Sequence, residues 1–269
     1  MLTIQSMSTT HEGRFGGKVV VVSGGAQGIG RAVAARCQSE GASVFILDCD
    51  SAAGVEASAT LTRDNSSSPV RFLSVDLRDP AQIQNAIATL RKFHDRVDIL
   101  VNNAGVGLTK SLLQITANDW DLVLNVNLRG AFLLSQAVVP LFPESGGAIV
   151  NISSIHATHA FADSIPYACS KAGMVALTRN LALDLASRKV RVNCICPGYI
   201  DTRLWEHSLQ SSADPKAVAE QTRALHPVGR RGVPDDVAQA VIFLASEDSS
   251  FMTGSELVLD GGLTVRAHP

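Results

Sequence analysis

The chain has 269 residues, with 23 Lys+Arg against 25 Asp+Glu and a formal net charge of −2 with histidine neutral. A balance so close to zero argues against a dedicated nucleic-acid binder or a polybasic membrane-surface protein. A hydrophobic fraction of 46% with 18% charged residues describes a globular chain, not a disordered one.

In chain order, residues 1–16 read as a flexible polar tail. Met1 to Phe15 has neither the basic n-region nor the apolar h-region of a secretory signal. Residues 17–265 then read as one domain. Its predicted strands are Lys18–Ser23, Ser43–Asp48, Val70–Val75, Ile99–Val101, Ala148–Ile152, Arg191–Ile195 and Glu256–Leu259. They are apolar without in/out alternation, the mark of parallel strands covered on both faces. Between them lie helical patterns at Gly28–Glu40, Pro80–His94, Ala117–Val139, Pro166–Ser187 and Pro234–Ser246. This alternation predicts an α/β fold, a Rossmann-like doubly wound parallel sheet of seven strands. Asp64–Ser68 reads as a polar surface loop. The long connection Pro197–Pro227 leaves the carboxyl end of a strand, where such sheets bind ligands, so about 198–227 is a candidate substrate lid.

The five cysteines, Cys37, Cys49, Cys169, Cys194 and Cys196, are odd in number and hold no Cys-x-x-Cys spacing. Cys194 and Cys196 fall on one strand face and read as packing residues. No stretch is expected to approach the roughly 20 apolar residues a membrane span needs. A reducing, cytoplasmic setting is expected, with no membrane or nucleic-acid partner and no metal site. Asp163 and Asp201 read as caps or turn residues.

Three features carry chemistry. The first strand runs into Gly24-Gly25-Ala26-Gln27-Gly28-Ile29-Gly30 and then a helix. Such a turn lets backbone N–H groups and a helix N-terminus approach a pyrophosphate. Asp48 ends the second strand, 18 residues after Gly30. An acid there can accept from both adenosine-ribose hydroxyls and repels an extra phosphate, so NAD is expected over NADP. Gln27 is uncharged, and only Arg31 offers a positive charge nearby; the bland reading of Asp48 is a helix cap. Tyr167 and Lys171, four apart, share a helix face. A fixed ammonium favours the phenolate, making a proton donor and acceptor for an alcohol/carbonyl couple. Ser154, 13 residues upstream and just past a strand, could bond the substrate oxygen or simply cap a turn.

Together with Asp76-Leu77, Asn102-Asn103-Ala104-Gly105, Asn127-Leu128, Pro197-Gly198 and Asp260-Gly261-Gly262, these residues resemble the short-chain dehydrogenase/reductase family, from Lys18 to Gly262. Ser23 stands where the family usually has Thr and keeps the hydroxyl. The resemblance implies Tyr167 as acid/base, Lys171 lowering its pKa and holding the nicotinamide ribose, Ser154 orienting the reacting oxygen, and Asn127 holding a relay water. It implies that Ser23, Gly24, Gln27, Gly28, Ile29 and Gly30 form the cofactor turn with Asp48. Asp76 and Leu77 would meet the adenine side, and Asn103, Ala104 and Gly105 the nicotinamide-side ribose. Pro197, Gly198, Ile200 and Thr202 would meet the nicotinamide. It also implies a homotetramer.

The substrate, a small alcohol or carbonyl compound, is less defined. Ser154-Ile155-His156 resembles the segment in family members acting on glucose and hints at a sugar or polyol. Trp205 and Glu206 in the lid could stack on and bond a sugar. Equally, Trp205 with Leu204 and Leu209 could cover a cyclic or steroid-like ketone, and a hydroxy-acyl compound is a further option. A non-catalytic NAD-binding regulator could dispense with Asn127, Ser154, Tyr167 and Lys171, all of which are present.

Overall fold

Branched apolar runs, buried along nearly their whole length, make the sheet. The computed structural model describes residues 13–64, 68–210 and 214–266. Its strands are β1 (Val19–Ser23), β2 (Ser43–Asp48), β3 (Val70–Ser74), β4 (Ile99–Asn102), β5 (Gly147–Ile152), β6 (Val190–Pro197) and β7 (Glu256–Leu259). They pair in parallel in the order β3-β2-β1-β4-β5-β6-β7. The strand order reverses between β1 and β4, where Ser23 stands beside Asn102. That reversal opens a crevice beyond the carboxyl ends.

One face of the sheet packs on α1 (Gly28–Ser39), α2 (Ser51–Asp64) and α9 (Pro234–Ala245) through Val20, Val22, Val44 and Ile46. The other packs on α3 (Pro80–Leu90), α5 (Gly130–Val138) and α6 (Ile165–Leu185) through Val19, Val21, Leu100 and Ile149. Local chemistry starts several helices. Asp79 accepts from the amides of Ala81 and Gln82 ahead of Pro80. Thr116 and Asp119 form a capping box at α4 (Ala117–Leu124).

Four differences from the expected elements have physical reasons. The tail does not extend to residue 16: Phe15 is buried in the core and its amide donates to the Glu40 carbonyl at 2.8 Å. Residues 1–12 and 65–67 lie outside the described residues. Helix α2 gave no sequence signal because its buried stripe is Gly54, Ala57 and Leu61, mostly small residues. The lid connection contains two helices, α7 (Arg203–Gln210) and α8 (Pro215–Leu225), the second capped by Asp214. Finally, Ala117–Leu141 is long and apolar enough to cross a membrane by length and composition. This corrects the expectation that no stretch is apolar enough; polar residues such as Asn125, Asn127 and Arg129 hide the segment's mean hydropathy. The segment packs against α3 and α6 and bends through a π-turn at Asn125–Arg129.

Candidate active site

The glycine turn joins β1 to α1. Gly28 holds φ +52, a left-handed value that favours glycine. A Cβ on Gly30 would collide with the Gly24 carbonyl oxygen, so only glycine lets the helix start this close to the strand. Gln27 is the N-cap, yet its side chain makes no capping bond, and no acid sits in the first turn. The first N–H groups of α1 therefore have no side-chain acceptor and remain available to an anion. That fits the diphosphate of a dinucleotide.

Several residues expected to touch the cofactor also build this turn. Buried Ser23 accepts from the amides of Asn103 and Ala104, each at 3.1 Å. Asn103 Nδ2 donates to the Ser23 and Gly24 carbonyls at 3.0 and 2.9 Å, bracing the turn from β4. Asp48 accepts from the amides of Ala26 and Asp50, both at 3.1 Å. It is not the cap of α2; Asp50 takes that part, accepting from Ala53 N at 3.0 Å. No ion pair involves Asp48 among the described residues, and Arg31 is held by Glu56 at 3.2 Å. A carboxylate with spare acceptor capacity suits ribose hydroxyls. Asp76 is gripped by Arg78, which holds its carboxyl below the ordinary range. Leu77 is buried and packs against Gly130. Ile29 packs on the core below the turn.

The proton-transfer set gathers at the carboxyl end of β5. Ser154 is buried, caps the next turn by accepting from His156 N at 3.2 Å, and its hydroxyl stands close enough to Tyr167 to favour the phenolate. The capping reading is realised, and the hydroxyl stands on the Tyr167 side of the turn. Pro166 opens α6 one residue before Tyr167. One turn on, Lys171 Nζ lies 5.5 Å from the Tyr167 ring centroid and donates to the Ile152 carbonyl at 2.8 Å. Ser153 holds the Lys171 carbonyl at 2.8 Å. Asn127, fully buried in the π-turn, accepts from Val106 N at 2.8 Å and donates to Val106 O and Ser170 Oγ at 2.9 and 3.0 Å. A Cβ on Gly105 would stand 3.4 Å from Asn127 Oδ1 and 3.6 Å from Lys171 Nζ, so all three residues meet at one point.

Burial governs the electrostatics. It pushes the Tyr167 phenol up, opposed by the nearby Ser154 hydroxyl, and pulls the Lys171 ammonium down to about 8. Desolvation is therefore the largest influence on the phenol. Burial, then the nearby Lys171 charge, lowers His156 to about 4, so it is neutral at pH 7.

At the far side of the crevice, β6 ends in Pro197. Gly198 N donates to Leu259 O at 3.0 Å, and buried Ile200 bridges to Gly232. Thr202 caps the lid, accepting from Trp205 N at 3.3 Å. An aromatic wall follows, and the sequence showed only part of it. His156 stacks on Phe161 at 4.1 Å and meets Tyr167 edge-on at 5.1 Å. Tyr199 meets Phe161, Trp205 and His226 edge-on at 6.4, 5.0 and 5.9 Å. Phe161, Tyr199 and His226 were missed; Tyr199, next to Pro197-Gly198, carried the one usable signal. Buried ring nitrogens of His156, Trp205 and His226 lack partners. Glu206 is exposed, and among the described residues no side-chain bond draws it toward Tyr167. Of Leu204 and His207 only the backbone is described.

The chain belongs to the short-chain dehydrogenase/reductase family, oxidoreductases that typically use a nicotinamide cofactor. A family model described as enoyl-(acyl carrier protein) reductase matches residues 24–264. The 3-oxoacyl-[acyl-carrier-protein] reductase FabG of Thermotoga maritima is 36% identical over 94% of this chain and 100% of its own. D-threitol dehydrogenase of Mycolicibacterium smegmatis is also 36% identical, over 99% of this chain and 100% of its own. The solved structure of levodione reductase superposes with a TM-score of 0.90 at 32% identity, covering 94% of this chain and 100% of that one.

Proposed function

We propose that this protein is an NAD-dependent dehydrogenase interconverting a secondary alcohol and a ketone, or a sugar hemiacetal and a lactone, with a sugar or polyol as substrate. The observation that carries the reading is the convergence of Ser154, Tyr167 and Lys171 beside a glycine turn whose helix amides await an anion. When bound, the nicotinamide accepts or returns the hydride. The protein positions the carbinol and moves the proton. Ser154 Oγ holds the substrate oxygen, and Tyr167 Oη takes or gives its proton. Lys171 and the Asn127 pocket connect that proton to the interior polar set. Asp48, without an ion-pair partner, favours NAD by repelling a ribose phosphate.

The sugar or polyol reading rests on the wall. Aromatic faces suit the C–H face of a sugar, and the unpartnered ring nitrogens of His156 and Trp205 suit its hydroxyls. The relative with the widest coverage of this chain among those reported above is named for D-threitol. The same wall supports a second reading, an apolar cyclic alcohol. The test is NADH or NADPH formation across aldoses, polyols, cyclic alcohols, steroids and hydroxy-acyl compounds. Turnover of a polyol or sugar with NAD supports the first reading, turnover of apolar alcohols alone supports the second, and a preference for NADP overturns the cofactor assignment. The proposal includes a homotetramer, since Phe132 on α5 and Leu183, Phe251 and Val258 around α6 and β7 stand exposed.

A further inference from the structure

The glycine turn has no free cation of its own, because Arg31 is engaged by Glu56. The fold brings one from a distant segment. Arg203 is the first residue of α7, and its Nη1 donates to Gln27 Oε1 at 2.9 Å, across 176 positions of the chain. The Gln27 amide nitrogen in turn donates to Asp50 Oδ2 at 2.9 Å. Beside Arg203, the Thr202 methyl lies 3.4 Å from where a Cβ on Gly28 would stand. The start of the lid therefore rests directly on the end of α1 whose amides have no side-chain acceptor.

The partner of this guanidinium is a neutral amide, and among the described residues no carboxylate meets it. A charge left uncompensated gains more from an anion than from an amide, since charge-assisted hydrogen bonds are about twice as strong as neutral ones. The helix N-terminus supplies only about half a unit of positive charge. A doubly charged diphosphate calls for more.

We propose that Arg203 is a diphosphate-binding residue of the cofactor site, exchanging the Gln27 oxygen for a phosphate oxygen and so fixing α7 over the bound dinucleotide. The inference rests on the dinucleotide reading above. It assigns the lid a second task, because Trp205 is two residues further along the same helix. The charge of the cofactor then helps set the position of the aromatic wall.

The test is titration of the full chain with NADH and with NADPH, followed by nicotinamide fluorescence at low and high salt. Wild type, Arg203→Gln and Arg203→Lys are compared. Glutamine keeps a donor for Gln27 but removes the charge. Arg203→Gln is expected to weaken binding of the preferred cofactor about tenfold at low salt. The gap should narrow at high salt, where the charge is screened, and Arg203→Lys should recover most of it. Binding by Arg203→Gln within twofold of wild type at low salt overturns the inference and leaves the cofactor reading standing. A loss equal at both salts and not recovered by lysine also overturns it, by showing a structural role. A wild type that binds neither cofactor overturns the cofactor reading and the inference together.

Discussion

Burial acts on Tyr167 and Lys171 in opposite directions, lifting the phenol and pulling the ammonium down to about 8. A phenol held up is protonated at neutral pH, ready to donate in carbonyl reduction. Oxidation needs the phenolate, so its kcat/KM should rise with pH from 6 to 8 while that of reduction stays level, because the phenol is protonated throughout that range; parallel pH profiles of the two directions check this. Two flat profiles would remove Tyr167 as the titrating group. His156 titrates in the opposite sense to a partnered histidine. Its folded value of about 4 lies below the ordinary 6.5, so the unfolded chain binds the proton more tightly. Stability present above pH 6.5 is lost as pH falls toward 4. Melting temperatures from pH 7 to 4.5 should fall more steeply in wild type than in His156→Gln; equal slopes would place the acid sensitivity elsewhere. The reacting residues were legible because strand, turn and helix spacing are local properties. Their pKa directions were not, since desolvation is set by everything packed around them.

The glycine turn and the π-turn are the two elements on which the site depends. Gly30→Ala places a methyl against the Gly24 carbonyl. It is expected to abolish measurable NADH binding, read by fluorescence titration, and retained binding would contradict the turn's assignment. Asn127 spends its amide on three buried bonds, to both backbone groups of Val106 and to Ser170. Asn127→Ala leaves those groups unsatisfied, at about 1–3 kcal/mol, and a urea melt should show the loss. The turn was readable as a motif. The π-turn was not, because a helical pattern of period 3.6 and one with a single added residue look alike over five positions. Nor was α2, with its small-residue stripe. Arg203 and Gln27 are 176 residues apart, and no local pattern predicts that meeting.

At the scale of the whole molecule, continuous apolar strands announced a parallel sheet covered on both faces, and the order β3-β2-β1-β4-β5-β6-β7 places the site at its point of reversal. The aromatic wall draws Phe161 from the connection between β5 and α6 and Tyr199, Trp205 and His226 from the lid connection, so it exists only once the sheet is assembled. Phe132 on α5 and Phe251 with Val258 near β7 are among the exposed apolar residues. Light scattering should give a four-chain mass for the wild type and a two-chain mass for Phe132→Asp or Phe251→Asp; a monomeric wild type would contradict the tetramer. The central claim is that Tyr167 moves the proton while the dinucleotide site stands apart from it. Its most direct measurement is turnover of Tyr167→Phe on the best substrate, with NADH affinity measured in parallel. The account predicts a loss of at least about 10³-fold in turnover with NADH binding little changed. Turnover within tenfold of wild type would contradict it.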